Sequence, residues 1–168
     1  MEVRPKVKLT LSRLDHILEI TSKIVLAIMW VLMLYIFFKL PAVIPIHFGS
    51  TGQADGYGNK TTILFLPVLA TVIYFGMTQL NKRPHILNYP VKITVNNALR
   101  QYTLATRMLR FIKVAVLIIL SLIILFTYLT TIGVANGLGS WFLPFALGIL
   151  LLPTIVLISL SLMKGNAI

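Results

Sequence analysis

The chain has 168 residues, of which 58% are hydrophobic and 11% charged, with a formal charge of +11 and no cysteine. A soluble domain is about one quarter charged, so the composition excludes an ordinary soluble protein and points to an integral membrane one, and the lack of cysteine excludes disulfides and thiolate metal sites. The basic residues flank apolar runs instead of gathering on a soluble face, which sets nucleic acid aside and makes anionic lipid headgroups their counterions.

Residues 1–19 are basic and mildly amphipathic. Ser12-Arg-Leu-Asp15 has the form of a capping box, and Leu14, Ile17 and Leu18 share one helical face. A short helix lying on the membrane surface is expected here, with His16 and Glu19 on its solvated side. The apolar run that follows is too long for the core of a signal peptide and has no A-x-A site, so it is read as retained.

Four segments reach the roughly 20 residues that cross a bilayer, at about 20–40, 61–80, 111–135 and 141–163. Pro67, Pro144 and Pro153 fall within spans, where neighbouring helices can satisfy the freed carbonyls. Lys113 stands near the start of the third span and is expected to snorkel to the interface. The short 136–140 connection makes the last two spans an antiparallel helical hairpin. The expected fold class is therefore an all-α integral membrane protein, a single four-helix domain over 1–168 with no internal repeat. A loop at 41–60 joins the first two spans, and a segment at 81–110 joins the second and third.

Lysine and arginine set the orientation. Arg4, Lys6, Lys8, Arg13 and Lys23 flank the first span, seven more lie between Lys82 and Lys113, and Lys164 is near the C-terminus, while the other side has only Lys39 and Lys60. The positive-inside rule then puts both termini in the cytoplasm of a multi-pass plasma-membrane protein and turns the 41–60 loop outward.

That outer loop does not read as a plain linker. Pro41, Pro45, Gly52, Gly56 and Gly58 shape it, since proline fixes φ and glycine opens positive φ. Ile44-Pro45-Ile46-His47-Phe48 is β-like, and Asp55-Gly56-Tyr57-Gly58 reads as turns. Its ionisable residues are His47, Asp55 and Lys60. Three readings stand: Asp55 makes an Asx-turn while His47 bonds a backbone carbonyl; His47 and Asp55 begin a metal site, although zinc sites use three or four ligands; or the loop recognises an external ligand.

The 81–110 segment is the second place with content. Asn81-Lys-Arg-Pro-His85 ends the second span, the stretch around Tyr89, Pro90 and Lys92 is extended, and Thr94 can cap a new helix. From Val95 onward Leu99, Tyr102, Ala105 and Leu109 recur at helical spacing and lead straight into the third span. Arg100, Arg107 and Arg110 lie off that stripe, with Asn97 and Gln101 near them. They are expected either at headgroup depth or as a docking surface for a cytoplasmic partner. No nucleophile motif, phosphate loop or H-E-x-x-H is present, and the spans hold no paired ionisable residues at mid-bilayer depth, so a non-enzymatic protein without a required cofactor is expected.

The run Leu40-Pro41-x-x-Ile44-Pro45-Ile46-His47-Phe48, followed by Gly52, Asp55, Gly56, Gly58 and Lys60, resembles a widespread prokaryotic membrane family. That family is the domain of unknown function that forms the N-terminal part of SdpI-type immunity proteins. Asn88-Tyr89-Pro90-Val91-Lys92-Ile93-Thr94, with Asn97 and Gln101-Tyr102, resembles its short stand-alone members. The resemblance spans residues 20 to about 113. It implies a polytopic membrane protein and, in the best-known relative, self-protection against a secreted toxin peptide together with sequestration of a transcriptional repressor at the membrane. The leading expectation is an outward loop, with His47, Asp55 and Lys60 as its motif residues, that protects against or responds to a membrane-active peptide or another envelope ligand. The alternatives are a metal-binding protein using His47 and Asp55, and a structural or regulatory subunit that docks a partner on helix 95–110.

Overall fold

The computed structural model describes residues 4–163. Among them, four helices are long and apolar enough to cross a membrane. In chain order these are α1 (Arg13–Phe37), α2 (Phe65–Asn81), α3 (Ala98–Thr131) and α4 (Phe142–Leu162). Between α1 and α2 stands an antiparallel hairpin of β1 (Val43–Phe48) and β2 (Ala54–Asn59), followed by a 3-10 turn over Lys60–Leu64. The hairpin was legible only as a β-like arm and turns.

Two helices are longer than their apolar stretches. The surface helix expected before residue 20 and the first span are one continuous helix, α1. Its start is the capping box read from the sequence: the Ser12 side chain accepts from the Asp15 N–H, and the Asp15 carboxylate accepts from the Ser12 N–H at 2.9 Å. In the same way, the interfacial helix and third span fuse into the 34 residues of α3, about 51 Å at 1.5 Å per residue, against a hydrocarbon core of roughly 30 Å. The excess length lies at the N-terminal end of α3, where its charges are. Helix α1 runs alongside it in the same direction, so both carry their charged turns to one end of the bundle and lead toward the hairpin at the other.

Thr94 does not cap α3. Asn97 instead bridges the turn before it, accepting from the Thr94 N–H at 2.8 Å and donating to the Lys92 carbonyl at 2.9 Å. At its far end α3 stops at Thr131, short of the expected 135. Gly133 takes φ +76, and Gly133 and Val134 donate to the Thr130 and Leu129 carbonyls, a Schellman closure that only a left-handed residue permits.

The core lies near the hairpin. Met29, Met33 and Ile36 of α1 and Leu40 just past its end meet Ile63, Ala70 and Tyr74 on the α2 side and Leu117 and Ile124 of α3. Ile44 drops from β1 into the same cluster at 1% exposure, so the hairpin is anchored in the bundle by an apolar side chain. A polar tie between α1 and α2 is added where the Trp30 indole donates to the Thr71 hydroxyl at 3.0 Å.

Candidate functional site

The hairpin end brings together three of the expected residues and gives two of them a shared role. His47 of β1 pairs with Gly56 across the ladder, and a register irregularity on either side of it lets its ring reach the preceding residue of β2. Its Nδ1 lies 2.5 Å from Asp55 Oδ1. The Asx-turn and carbonyl reading is therefore corrected: the carboxylate and the imidazole bond each other. The pair is open to solvent, with side-chain exposures of 71% for His47 and 52% for Asp55. An ion pair this exposed contributes about 0–1 kcal/mol.

Lys60 does different work. Its ammonium donates to the carbonyls of Leu40 at 3.0 Å and Phe37 at 3.4 Å, and lies over the Phe37 ring. These carbonyls end α1, so Lys60 places a positive charge at the negative end of the helix dipole. It fastens the base of the hairpin to the span before it. Pro41 is exposed just past α1, and Pro45 is buried within β1.

The tip of the hairpin meets the α3–α4 connection backbone to backbone. Gly52 sits at φ +78 and Gly137 at φ +109. The Leu138 N–H donates to the Gly52 carbonyl at 2.7 Å. A methyl on Gly52 would stand 2.4 Å from the Gly139 carbonyl oxygen, and one on Gly137 would stand 2.1 Å from that of Gly52. Gly56 and Gly58 have a smaller task, lying against the side chains of His47 and Ile46 across the ladder. Hairpin base, apolar anchor and tip are each held, and none of these contacts uses the His47–Asp55 pair.

At the charged end the structure assembles a site that composition and spacing did not suggest. Asp15 and Glu19 stand one turn apart on α1 and face Arg107, Arg110 and Lys113 of α3. Arg107 Nε lies 3.0 Å from Asp15 Oδ1, Arg110 Nε 3.0 Å from Glu19 Oε1, and Lys113 Nζ 2.7 Å from Glu19 Oε2. Arg107 also donates to the Ser12 hydroxyl, and Lys113 to Thr78 of α2 at 3.2 Å while facing the Tyr74 ring. The side chain of Lys113 is 0% exposed and that of Arg110 is 6% exposed. The expectations of a snorkelling Lys113, a solvated Glu19, and headgroup or docking roles for Arg107 and Arg110 are corrected accordingly. Carboxylates on α1 draw these cations inward, where the low dielectric strengthens each pair. One turn beyond Thr78 on α2, Asn81 buries both amide atoms without a partner among the described residues.

The other residues named in this segment also turn toward the chain itself. Arg100 donates to the carbonyls of Leu160 at 2.6 Å and Met163 at 2.9 Å, capping the end of α4. Gln101 donates to the Ser161 carbonyl at 3.0 Å and accepts from the Ser161 hydroxyl. Arg4 donates to the carbonyls of His85 and Leu87 and lies over the ring of Tyr89, and the Tyr102 hydroxyl donates to the Pro5 carbonyl. Tyr89 bonds the Pro84 carbonyl at 2.7 Å, and burial raises the pKa of its phenol, which keeps it a donor. Pro90 lines a small crevice between this segment and α4, and Lys92 contributes its carbonyl to Asn97 as above.

Fold and site together define an α-helical protein with four helices long and apolar enough to span a membrane, carrying a β-hairpin at one end and an ion-pair cluster at the other. Residues 24–71 match the family described as a domain of unknown function, DUF1648. The matched segment starts within α1 and ends within α2, with the hairpin at its centre. An uncharacterized protein of Archaeoglobus fulgidus is 28% identical over 75 residues, covering 40% of this chain and 41% of that protein. The chain thus matches less than half the length of this relative. No solved structure matches. Among the described residues no three histidine or carboxylate side chains gather as metal ligands, and His47 and Asp55 offer two.

Proposed function

We propose that this is a multi-pass plasma-membrane protein with both termini in the cytoplasm, whose hairpin faces outward and recognises a membrane-active peptide or a comparable envelope ligand, in a self-protection role of the SdpI type. Charge supports the orientation: the hairpin end carries Lys39 and Lys60, and the other end carries Arg4, Lys6, Lys8, Arg13, Lys82, Arg83 and Lys92 besides the clustered cations. Lys164 lies outside the described residues.

The observation that carries the recognition reading is the division of labour in the hairpin. Ile44, Lys60 and the Gly52–Leu138 contact hold its shape, while the His47–Asp55 pair stands free of them in solvent. A surface fixed before binding loses little entropy when a ligand arrives, and that is what a recognition site gains from rigidity. An imidazole hydrogen-bonded to a carboxylate offers its second ring nitrogen and one carboxylate oxygen to a cationic or hydrogen-bonding partner.

The test is a killing assay with cationic amphipathic peptides on a susceptible bacterial host. Expression of the wild-type chain should raise the inhibitory concentration of at least one peptide, and His47→Ala or Asp55→Ala should return it to the host's value. Both variants should keep wild-type membrane levels and lose no more than about 1 kcal/mol of stability. Undiminished protection by both variants would remove the pair from recognition.

A further inference from the structure

Of the four acidic residues in the chain, Asp55 alone lies in the hairpin. Its Oδ1 meets the His47 ring, and its second oxygen, Oδ2, lies against Gly49: a methyl on that glycine would stand 2.9 Å from it. The bare α-carbon at 49 is what gives the carboxylate room. The cations of this end are engaged elsewhere. Lys39 donates to the Tyr35 hydroxyl and Lys60 to the carbonyls that end α1, and no lysine or arginine pairs with Asp55 among the described residues.

Gly49 is also part of the wall of a cavity of about 210 Å³ between the hairpin tip and α4. Phe48, Leu138, Phe142 and Leu143 supply its apolar lining, and the exposed Ser50 stands next to Gly49. Leu138 and Phe142 are buried while Leu143 is half exposed, which puts the floor at the first two and the mouth at the third. At about 30 Å³ per water-sized group the cavity holds roughly seven, the size of a phenylalanine side chain and well short of a lipid acyl chain. An apolar lining with one placed polar group beside it is the usual make-up of a binding pocket.

Depth adds a second constraint. Phe142 and Leu143 are the first residues of α4, so the cavity lies at the edge of the apolar slab. An amphipathic segment rests at this level, with its apolar side chains toward the hydrocarbon and its basic ones toward water.

We propose that this cavity is the specificity pocket of the recognition site. It seats one bulky apolar side chain, leucine or phenylalanine, of an interfacial peptide, while a basic residue beside it on the peptide surface pairs with Asp55 Oδ2. The inference rests on the recognition reading above and adds what is recognised, a cation next to a large apolar group. The carboxylate selects the cation, the lining selects hydrocarbon, and the volume selects a side chain over a lipid chain.

The test uses the full chain in phosphatidylcholine vesicles and an amphipathic helical peptide of lysine and leucine, with one leucine replaced by its diazirine analogue one turn from a lysine. After photolysis, adducts are mapped by mass spectrometry. Adducts on Phe48, Phe142 and Leu143 should exceed by about tenfold those on Leu152 and Val156, which are exposed on α4 and report chance encounters in the membrane. Asp55→Asn, which keeps an oxygen for the imidazole, and Ser50→Trp, which crowds the cavity, should each weaken peptide binding about tenfold while the chain melts as wild type does. Should Ser50→Trp not fold, the adduct map of the wild-type chain decides. Two failures are separable. If Asp55→Asn weakens binding but the adducts miss the cavity, the pocket is overturned and recognition by the pair stands. If the peptide binds wild type and Asp55→Asn alike, or binds neither, both readings fall. Labelling of the cavity by a diazirine phospholipid that the peptide does not displace would give the cavity to lipid and overturn the proposal.

Discussion

Glu19 is the residue on which the charged end turns. It accepts from Arg110 and from Lys113, and the Lys113 side chain has no solvent exposure to fall back on. Removing one partner of such a pair leaves an uncompensated buried charge, at a cost of about 3–5 kcal/mol, whereas replacing both partners by apolar groups is often neutral. Glu19→Gln should therefore melt well below wild type in detergent, and Glu19→Gln with Lys113→Met should recover most of the loss. A single variant as stable as wild type would mean that the cluster does not hold the helices together. The cluster left a trace in the sequence that composition obscured. The whole chain has four acidic residues, and two of them, Asp15 and Glu19, sit one helical turn apart. Arg107, Arg110 and Lys113 recur at intervals of three. What no local pattern could supply was that α1 and α3 lie side by side across more than ninety residues of chain, and the positive-inside reading had already assigned those cations to lipid.

Among the elements, the hairpin shows why shape was partly legible and docking was not. Prolines and glycines announced a built loop, and the meeting of His47 with Asp55 follows once that loop folds back on itself. The partner of its tip was hidden, because its hydrogen bond runs from the Leu138 N–H to the Gly52 carbonyl, and a backbone contact of this kind leaves no side-chain pattern. Gly52→Ala and Gly137→Ala should each be strongly destabilising. Each forces an alanine into a left-handed conformation that costs about 1–2 kcal/mol, and each adds a clash with backbone that cannot move aside. Gly76 and Gly148, inside α2 and α4, face open space, so alanine at those positions should stabilise by about 0.5–1 kcal/mol. Thermal unfolding of the four variants checks both directions. Equal effects at all four sites would mean that the tip is not docked on the α3–α4 connection. The helix ends tell a similar story: the Ser12–Asp15 cap was readable from spacing, while the closure of α1 by Lys60 and of α4 by Arg100 joins residues that only the packed bundle brings together.

At the scale of the molecule, the four apolar segments were legible because about 20 apolar residues have few other uses; α2 and α4 stand close to the expected bounds, while α1 and α3 begin well before theirs. The two ends of the bundle then differ in kind. One end is rich in cations, several of them locked in internal pairs, and the other is a rigid hairpin with an exposed His47–Asp55 pair. The account depends on that hairpin facing out of the cell. In intact cells, single cysteines at Ser50 in the hairpin tip, at Ser140 before α4 and at Asn97 before α3 should separate cleanly under a membrane-impermeant thiol reagent. The chain has no cysteine of its own to confuse the reading. Ser50→Cys and Ser140→Cys should be modified in whole cells, and Asn97→Cys only after the membrane is permeabilised. Modification of Asn97→Cys in intact cells with protection of Ser50→Cys would contradict the outward hairpin, and the recognition function with it.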